Sequence, residues 1–143
     1  MATTTTEENE QLARDHFTRV WNHGEFDTDV LTDDFRVHTH SGGHETYTLD
    51  EFREVIAQAR ESIPDLRKEP DDVFAADDRV TIQYTMTGTQ EGEFKGVPPT
   101  GKEVEIAGVA VYRIEDGGLA ESWFVADFLR AMKQLGVIEP SEE

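Results

Sequence analysis

The spacing of apolar residues switches between a period of about 3.6 and a period of about 2 along this chain, and the switches mark its elements. From Glu7 to His23, Leu12, His16/Phe17, Val20 and Trp21 fall on one face of a helix, with Arg14, Asp15 and Arg19 elsewhere on the wheel. Asn22-His23-Gly24 ends it, glycine being a natural stop after a last helical turn. Asp27 to Leu31 reads as a short helical turn. Asp34 to Ser41 then alternates as a strand, with Phe35 and Val37 on one face and Arg36, His38 and His40 on the other. A second helix runs from near Thr48 to about Ser62, with Leu49, Phe52, Val55, Ile56 and Ala59 as its apolar stripe. Thr48 with Glu51 three residues on is a capping-box pattern, and Pro64 stops the helix.

Strands follow. Leu66 to Ala76 is the weakest, because Pro70 cannot donate to a ladder and confines the segment to an edge. Val80, Ile82, Tyr84 and Met86 alternate with Thr81, Gln83, Thr85 and Thr87, and a long Gly/Pro loop covers Gly88 to Lys102. Val104 to Ile114 is apolar on both faces, as in a strand at the sheet centre or beneath a second packed surface. Glu115-Asp116-Gly117-Gly118 turns the chain into a last strand, Leu119 to Asp127. A terminal helix, Phe128 to Leu135, is stopped by Gly136. Helices gathered ahead of a meander predict an α+β fold, a curved antiparallel sheet whose open face is covered by helices and encloses a pocket. At 143 residues there is enough chain for one sizeable core, so 7–137 form one domain between a small-polar tail, 1–6, and an acidic tail, 138–143.

Charge narrows the partners. There are 31 acidic against 13 basic residues, a formal net charge of -18, and the acids are spread over the whole chain. A field this negative repels phosphate backbones and anionic headgroups, so neither nucleic acid nor membrane is expected as a partner. A lysine-poor, carboxylate-rich surface on a chain with regular apolar periodicity reads as adaptation to high salt, where ions screen the self-repulsion. No segment approaches the roughly 20 apolar residues of a membrane helix, and the first residues lack the pattern of a signal peptide, so a cytoplasmic protein is expected. Without cysteine, thiolate catalysis and cysteine-based zinc sites are excluded.

The candidate chemistry gathers on the last strand. Alternation puts Trp123, Val125 and Asp127 on one face, and a carboxylate beside Trp and Val would be desolvated toward a pKa useful for proton transfer. The competing reading makes Asp127 the N-cap of the helix that begins at Phe128. Glu121 shares the parity of Trp123 and is the other carboxylate that could face inward. His38 and His40 could hydrogen-bond a carbonyl oxygen as charge develops on it. Phe17, Trp21, Tyr84 and Trp123 would wall a flat hydrophobic substrate, or simply pack the core. His38-Thr39-His40-x3-His44-Glu45 also carries the HxHx4E spacing of the cupin metal motif, but the flanking glycines and a later fourth histidine are absent, and the expectation is no metal.

Several of these stretches are similar to one known family. Gly88-Thr89-x-x-Gly92-x-Phe94-x-Gly96-Val97-Pro98-Pro99-Thr100-Gly101-Lys102 resembles the loop of SnoaL-like polyketide cyclases. So does Glu121-x-Trp123-x3-Asp127 with Gln134-Leu135-Gly136 behind it. Trp21-Asn22-x-Gly24, and His38 after Asp34-Phe35, also look like that group, so the likeness runs from about residue 9 to 137. It implies the cone-shaped α+β barrel shared with nuclear transport factor 2 and ketosteroid isomerase, a homodimer through the sheet, and a reaction without cofactor. The characterised cyclases close a ring of an aromatic polyketide ester by intramolecular aldol condensation with an aspartate as acid/base, and Asp127 matches that aspartate. The chain departs from the group near Gly108-Val109-Ala110-Val111, where relatives often carry a His or Asp. The expected function is thus acid/base chemistry on a small hydrophobic carbonyl compound, the alternative being a non-catalytic ligand-binding module of the same fold.

Overall fold

The computed structural model describes residues 5–40 and 45–138. Its first helix, α1, spans Thr6–His23. A capping box fixes the start: the Thr5 hydroxyl accepts from the Glu8 N–H, and the Glu8 carboxylate accepts from the Thr5 N–H, each at 3.1 Å. Gly24 ends the helix in the left-handed region at φ +67°, its N–H reaching back to the Val20 carbonyl. A single 3-10 turn, Thr28–Val30, leads into β1, Leu31–Thr39. Then come β2 (Glu45–Thr48), α2 (Leu49–Ser62), β3 (Arg67–Ala76), β4 (Arg79–Thr89), β5 (Glu103–Glu115), β6 (Gly118–Ala126) and α3 (Phe128–Gln134). The Thr48/Glu51 capping box forms at the head of α2 as the spacing predicts.

The strands make one curved, unclosed sheet in the order β2-β1-β6-β5-β4-β3. The α+β architecture is what the apolar pattern predicts and the cone what the resemblance implies, with one correction: the sheet is mixed. β1 lies parallel to β6, while every other pair is antiparallel. Parallel neighbours need a long crossover, and here everything between β1 and β6 supplies it. β2 is a second addition, a four-residue strand on β1 too short to show a period. β3 is an edge strand, as Pro70 requires, and it continues past the proline through a register shift between Pro70 and Asp72. β5 sits inside the sheet, between β4 and β6.

Alternation divides the sheet into two unlike faces. The inner face carries Phe35 and Val37 of β1, Val80, Ile82, Tyr84 and Met86 of β4, and Val104, Ile106, Ala110 and Tyr112 of β5, all buried. α1 packs over β3 and β4, α2 against β1 and β2, and α3 against β5. Phe17 of α1 is fully buried with its ring 5.1 Å from that of Tyr84, and burial of the Phe17 side chain as a whole contributes about 1.5–3 kcal/mol. The outer face carries Arg36 and His38 of β1, Glu121, Trp123 and Val125 of β6, and Arg113 of β5, none of them buried.

Candidate functional site

The helices do not fill the inner face completely. A cavity of about 320 Å³ remains, within the range of small-molecule sites. Its buried lining includes Trp21 of α1, Ile63 and Leu66 beyond α2, and Met86 of β4, with half-buried Phe124 of β6 completing the apolar wall. Its exposed rim holds Glu45, Glu93 and Lys95. Tyr47, also on the lining, donates its hydroxyl to Glu45, and burial together with that bond pushes the phenol up to about 12.

One charged-type side chain belongs to the buried lining: Lys68 of β3, 1% exposed. Its Nζ sits 3.2 Å over the Trp21 ring and donates to the Tyr84 hydroxyl at 3.3 Å, with the Phe124 ring 5.3 Å away. Among the described residues no carboxylate pairs with it. Burial therefore pushes the amine well below the ordinary lysine range, and the charge of Lys95 adds in the same direction. Asn22, the residue after Trp21, holds the backbone of this position: its amide donates to the Lys68 carbonyl at 3.1 Å and accepts from the Lys68 N–H at 2.7 Å. An edge strand leaves such groups without a ladder partner, and the asparagine stands in for one.

The Gly/Pro loop closes the cavity from the side. Phe94 and Val97 exchange backbone hydrogen bonds at 3.0 and 2.8 Å across Lys95 and Gly96, which both have positive φ, as a primed hairpin turn demands. Gln90, fully buried, ties the loop together. Its amide donates to the carbonyls of Gly92, Val97 and Pro98 and accepts from the N–H and hydroxyl of Thr100. The end of α2 joins in through the Ser62 carbonyl, which accepts from Glu91 and Gly92 N–H at 2.9 Å each.

Of the residues singled out from sequence, the cavity region collects Trp21, on its wall, with Tyr84 beneath Lys68 and Phe17 packed on Tyr84 in the core. The others lie elsewhere. Asp127 is exposed and caps α3, accepting from the Arg130 N–H at 3.1 Å, so the desolvated carboxylate expected there is not found. The reason is parity: Ser122, Phe124 and Ala126 take the inner face of β6, which leaves Trp123 and Val125 outside. Phe124, not Trp123, therefore meets the cavity.

His38 points outward too. It sits between Glu121 (2.6 Å) and Thr46 (2.9 Å) and stacks on Trp123 with ring centroids 5.3 Å apart. Burial would raise the Glu121 pKa, but hydrogen bonds from His38 and Arg113 outweigh it and hold the carboxyl below its ordinary value. His40 is exposed at the end of β1, its N–H reaching the Phe124 carbonyl at 3.4 Å. His44, the third member of the cupin-like spacing, lies outside the described residues. Among the described residues, no group of three His, Asp or Glu side chains is placed to hold a metal ion.

Sequence reasoning missed Lys68. Its signal was faint: one of four lysines, on an edge strand, at the inward parity of a segment whose neighbours are charged.

Comparison with known proteins agrees with this architecture. The family model of the SnoaL-like polyketide cyclases matches residues 11–135. AclR from Streptomyces galilaeus superposes with a TM-score of 0.84 at 24% identity, over 97% of this chain and 91% of that one. TsrD from Streptomyces laurentii gives 0.81 at 25%, over 95% and 100%. A SnoaL-like polyketide cyclase from Agrobacterium tumefaciens gives 0.72 at 21%, over 93% and 100%. No curated protein matches by sequence. With the family's model spanning the elements from α1 through α3, this chain belongs to the SnoaL-like polyketide cyclase family.

Proposed function

We propose that the cavity binds a small hydrophobic carbonyl compound and promotes its ring closure or isomerisation by acid/base chemistry of the chain's own side chains, without a cofactor. The observation that carries this reading is the cavity's composition: a largely aromatic and aliphatic wall into which one buried amine, Lys68, is set, with the Tyr84 hydroxyl behind it. A proton flanked by carbonyls is acidic enough for one weak base when water is excluded and the enolate is delocalised. The wall made by Trp21 and Phe124 suits a flat, conjugated molecule. Asp127, exposed and engaged as a helix cap, has a structural duty at its position.

Fluorescence tests the reading. Trp21 lines the cavity, and Trp123, the only other tryptophan, lies on the outer face, so a Trp123→Phe variant leaves a single reporter at the site. Titrating it with aryl ketones and diketones is expected to change the Trp21 emission saturably. A flat titration across that panel would sink the proposal. The exposure of Asp127 favours a second reading, a ligand-binding module without turnover. Product analysis of the bound diketone separates the two: a ring-closed or isomerised product supports the enzyme, and unchanged diketone supports the binder.

A further inference from the structure

Lys68 is a buried amine with no counter-ion among the described residues, in a chain that has only four lysines. Burying such a group costs stability unless its partners compensate, and a methionine would fill the same space at no such cost. Yet two consecutive residues of α1 are committed to it. Trp21 lays its ring under the Nζ, and Asn22 brackets the backbone on both sides. Across the sheet, Gly108 leaves room for the Tyr84 ring, whose hydroxyl meets the amine; a Cβ at Gly108 would overlap that ring. The amine, the hydroxyl and the cavity are thus placed together by four elements, α1, β3, β4 and β5.

Resting on the carbonyl-compound reading above, we propose that Lys68 is a covalent catalyst: its Nζ condenses with a ketone or aldehyde carbon of the bound compound to form an imine, with Tyr84 as the proton carrier beside it. The step balances. The nitrogen attacks the carbonyl carbon, its two hydrogens leave with the carbonyl oxygen as water, and a C=N bond replaces C=O. The Tyr84 hydroxyl gives its proton to the imine nitrogen, and the phenolate so formed takes an adjacent C–H proton, leaving an enamine and a restored phenol. The enamine carbon then bonds to a second carbonyl of the same molecule, whose oxygen takes a proton. Water adds back across C=N and releases the amine, so the net change is one C–C bond formed and one proton moved from carbon to oxygen. No oxidant or reductant is involved.

The surroundings favour the free amine that this chemistry needs. The groups against the Nζ are Trp21, Tyr84 and Phe124, and the charged side chains on the cavity, Glu45, Glu93 and Lys95, stand at its exposed rim. Burial lowers the pKa of the Lys68 amine, which favours its neutral form, and, with the Tyr112 hydroxyl adding to it, raises that of the Tyr84 phenol.

The test uses the whole chain and 1-phenylbutane-1,3-dione, a diketone that traps a neutral amine as a stable, ultraviolet-absorbing enaminone. Near neutral pH the diketone is expected to label Lys68 at least roughly tenfold faster than Lys95, Lys102 or Lys133, read by peptide mapping as the mass of one diketone less one water. Lys68→Met should lose the absorption band while still binding the corresponding diol, which cannot condense. The wild-type peptide map decides the question even if that variant folds poorly. Binding of the diketone and the diol without a label on Lys68 overturns the imine and leaves the cavity reading standing. Failure of both to bind overturns the two together.

Discussion

The two faces of the sheet treat their nitrogen bases in opposite ways. On the outer face His38 lies between a carboxylate and a hydroxyl, and Arg113 donates to the same Glu121 at 3.1 Å. On the inner side His16 is buried among the rings of Phe26, Phe35 and Tyr112, and its Nδ1 has no hydrogen-bond partner among the described residues. Burial, opposed only by the nearby Asp27, lowers its pKa to about 4. Lys68 is the second such base on this side. His38 and His40 lie on the face that alternation exposes, whereas the buried bases with lowered pKa, His16 and Lys68, lie on the helix-covered side. A buried base without an ion partner is a more informative mark of a site than a well-paired one, because its retention has to be explained.

The largest expected effect comes from His16. Its pKa is lowered on folding, so the unfolded chain binds more protons between about pH 4 and 6.5, and stability falls as pH drops through that window. The loss amounts to roughly 3 kcal/mol. Denaturant unfolding at a series of pH values should show this slope in the wild type and a flatter one in His16→Leu. An equal slope in both would place the acid sensitivity elsewhere.

Next comes Gly108. Substituting alanine forces the Tyr84 ring to move and should cost about 1–3 kcal/mol while displacing the hydroxyl from Lys68. Diketone labelling should slow in that variant more than diol binding weakens; equal losses would mean that Tyr84 has only a packing role. The smallest effect belongs to the outer face. Glu121→Gln removes a partly exposed ion pair and should change stability by no more than about 1 kcal/mol, with diketone labelling unaltered. A clear fall in labelling there would break the division between the faces.

How much of this was legible follows from the range of the interactions involved. Local signals were read correctly: the Thr48/Glu51 cap, the stop at Gly24 and the edge position of the Pro70 strand all depend on neighbours a few residues away. The parallel pairing of β1 with β6 joins Val37 to Ser122, and nothing within either strand announces it. On β6 the alternation alone leaves open which face is buried: a tryptophan points to the interior, but the stack of His38, Trp123 and the Arg79 guanidinium keeps that ring outside. Lys68 was invisible for a similar reason. Arg67-Lys68-Glu69-Pro70-Asp71-Asp72 reads as a solvated edge until α1, far away in sequence, covers it.

The clamp on the Gly/Pro loop has a consequence of its own. This chain carries a formal charge of -18, and interactions between its surface charges vary with the ionic strength of the medium. Gln90 holds the loop by amide and hydroxyl contacts alone, at full burial, where neither a proton nor a mobile ion has a handle on it. The wall that carries Phe94 is thereby held by contacts that neither ionic strength nor pH weakens. The shape of the chamber can stay constant while the rest of the surface answers to its solvent.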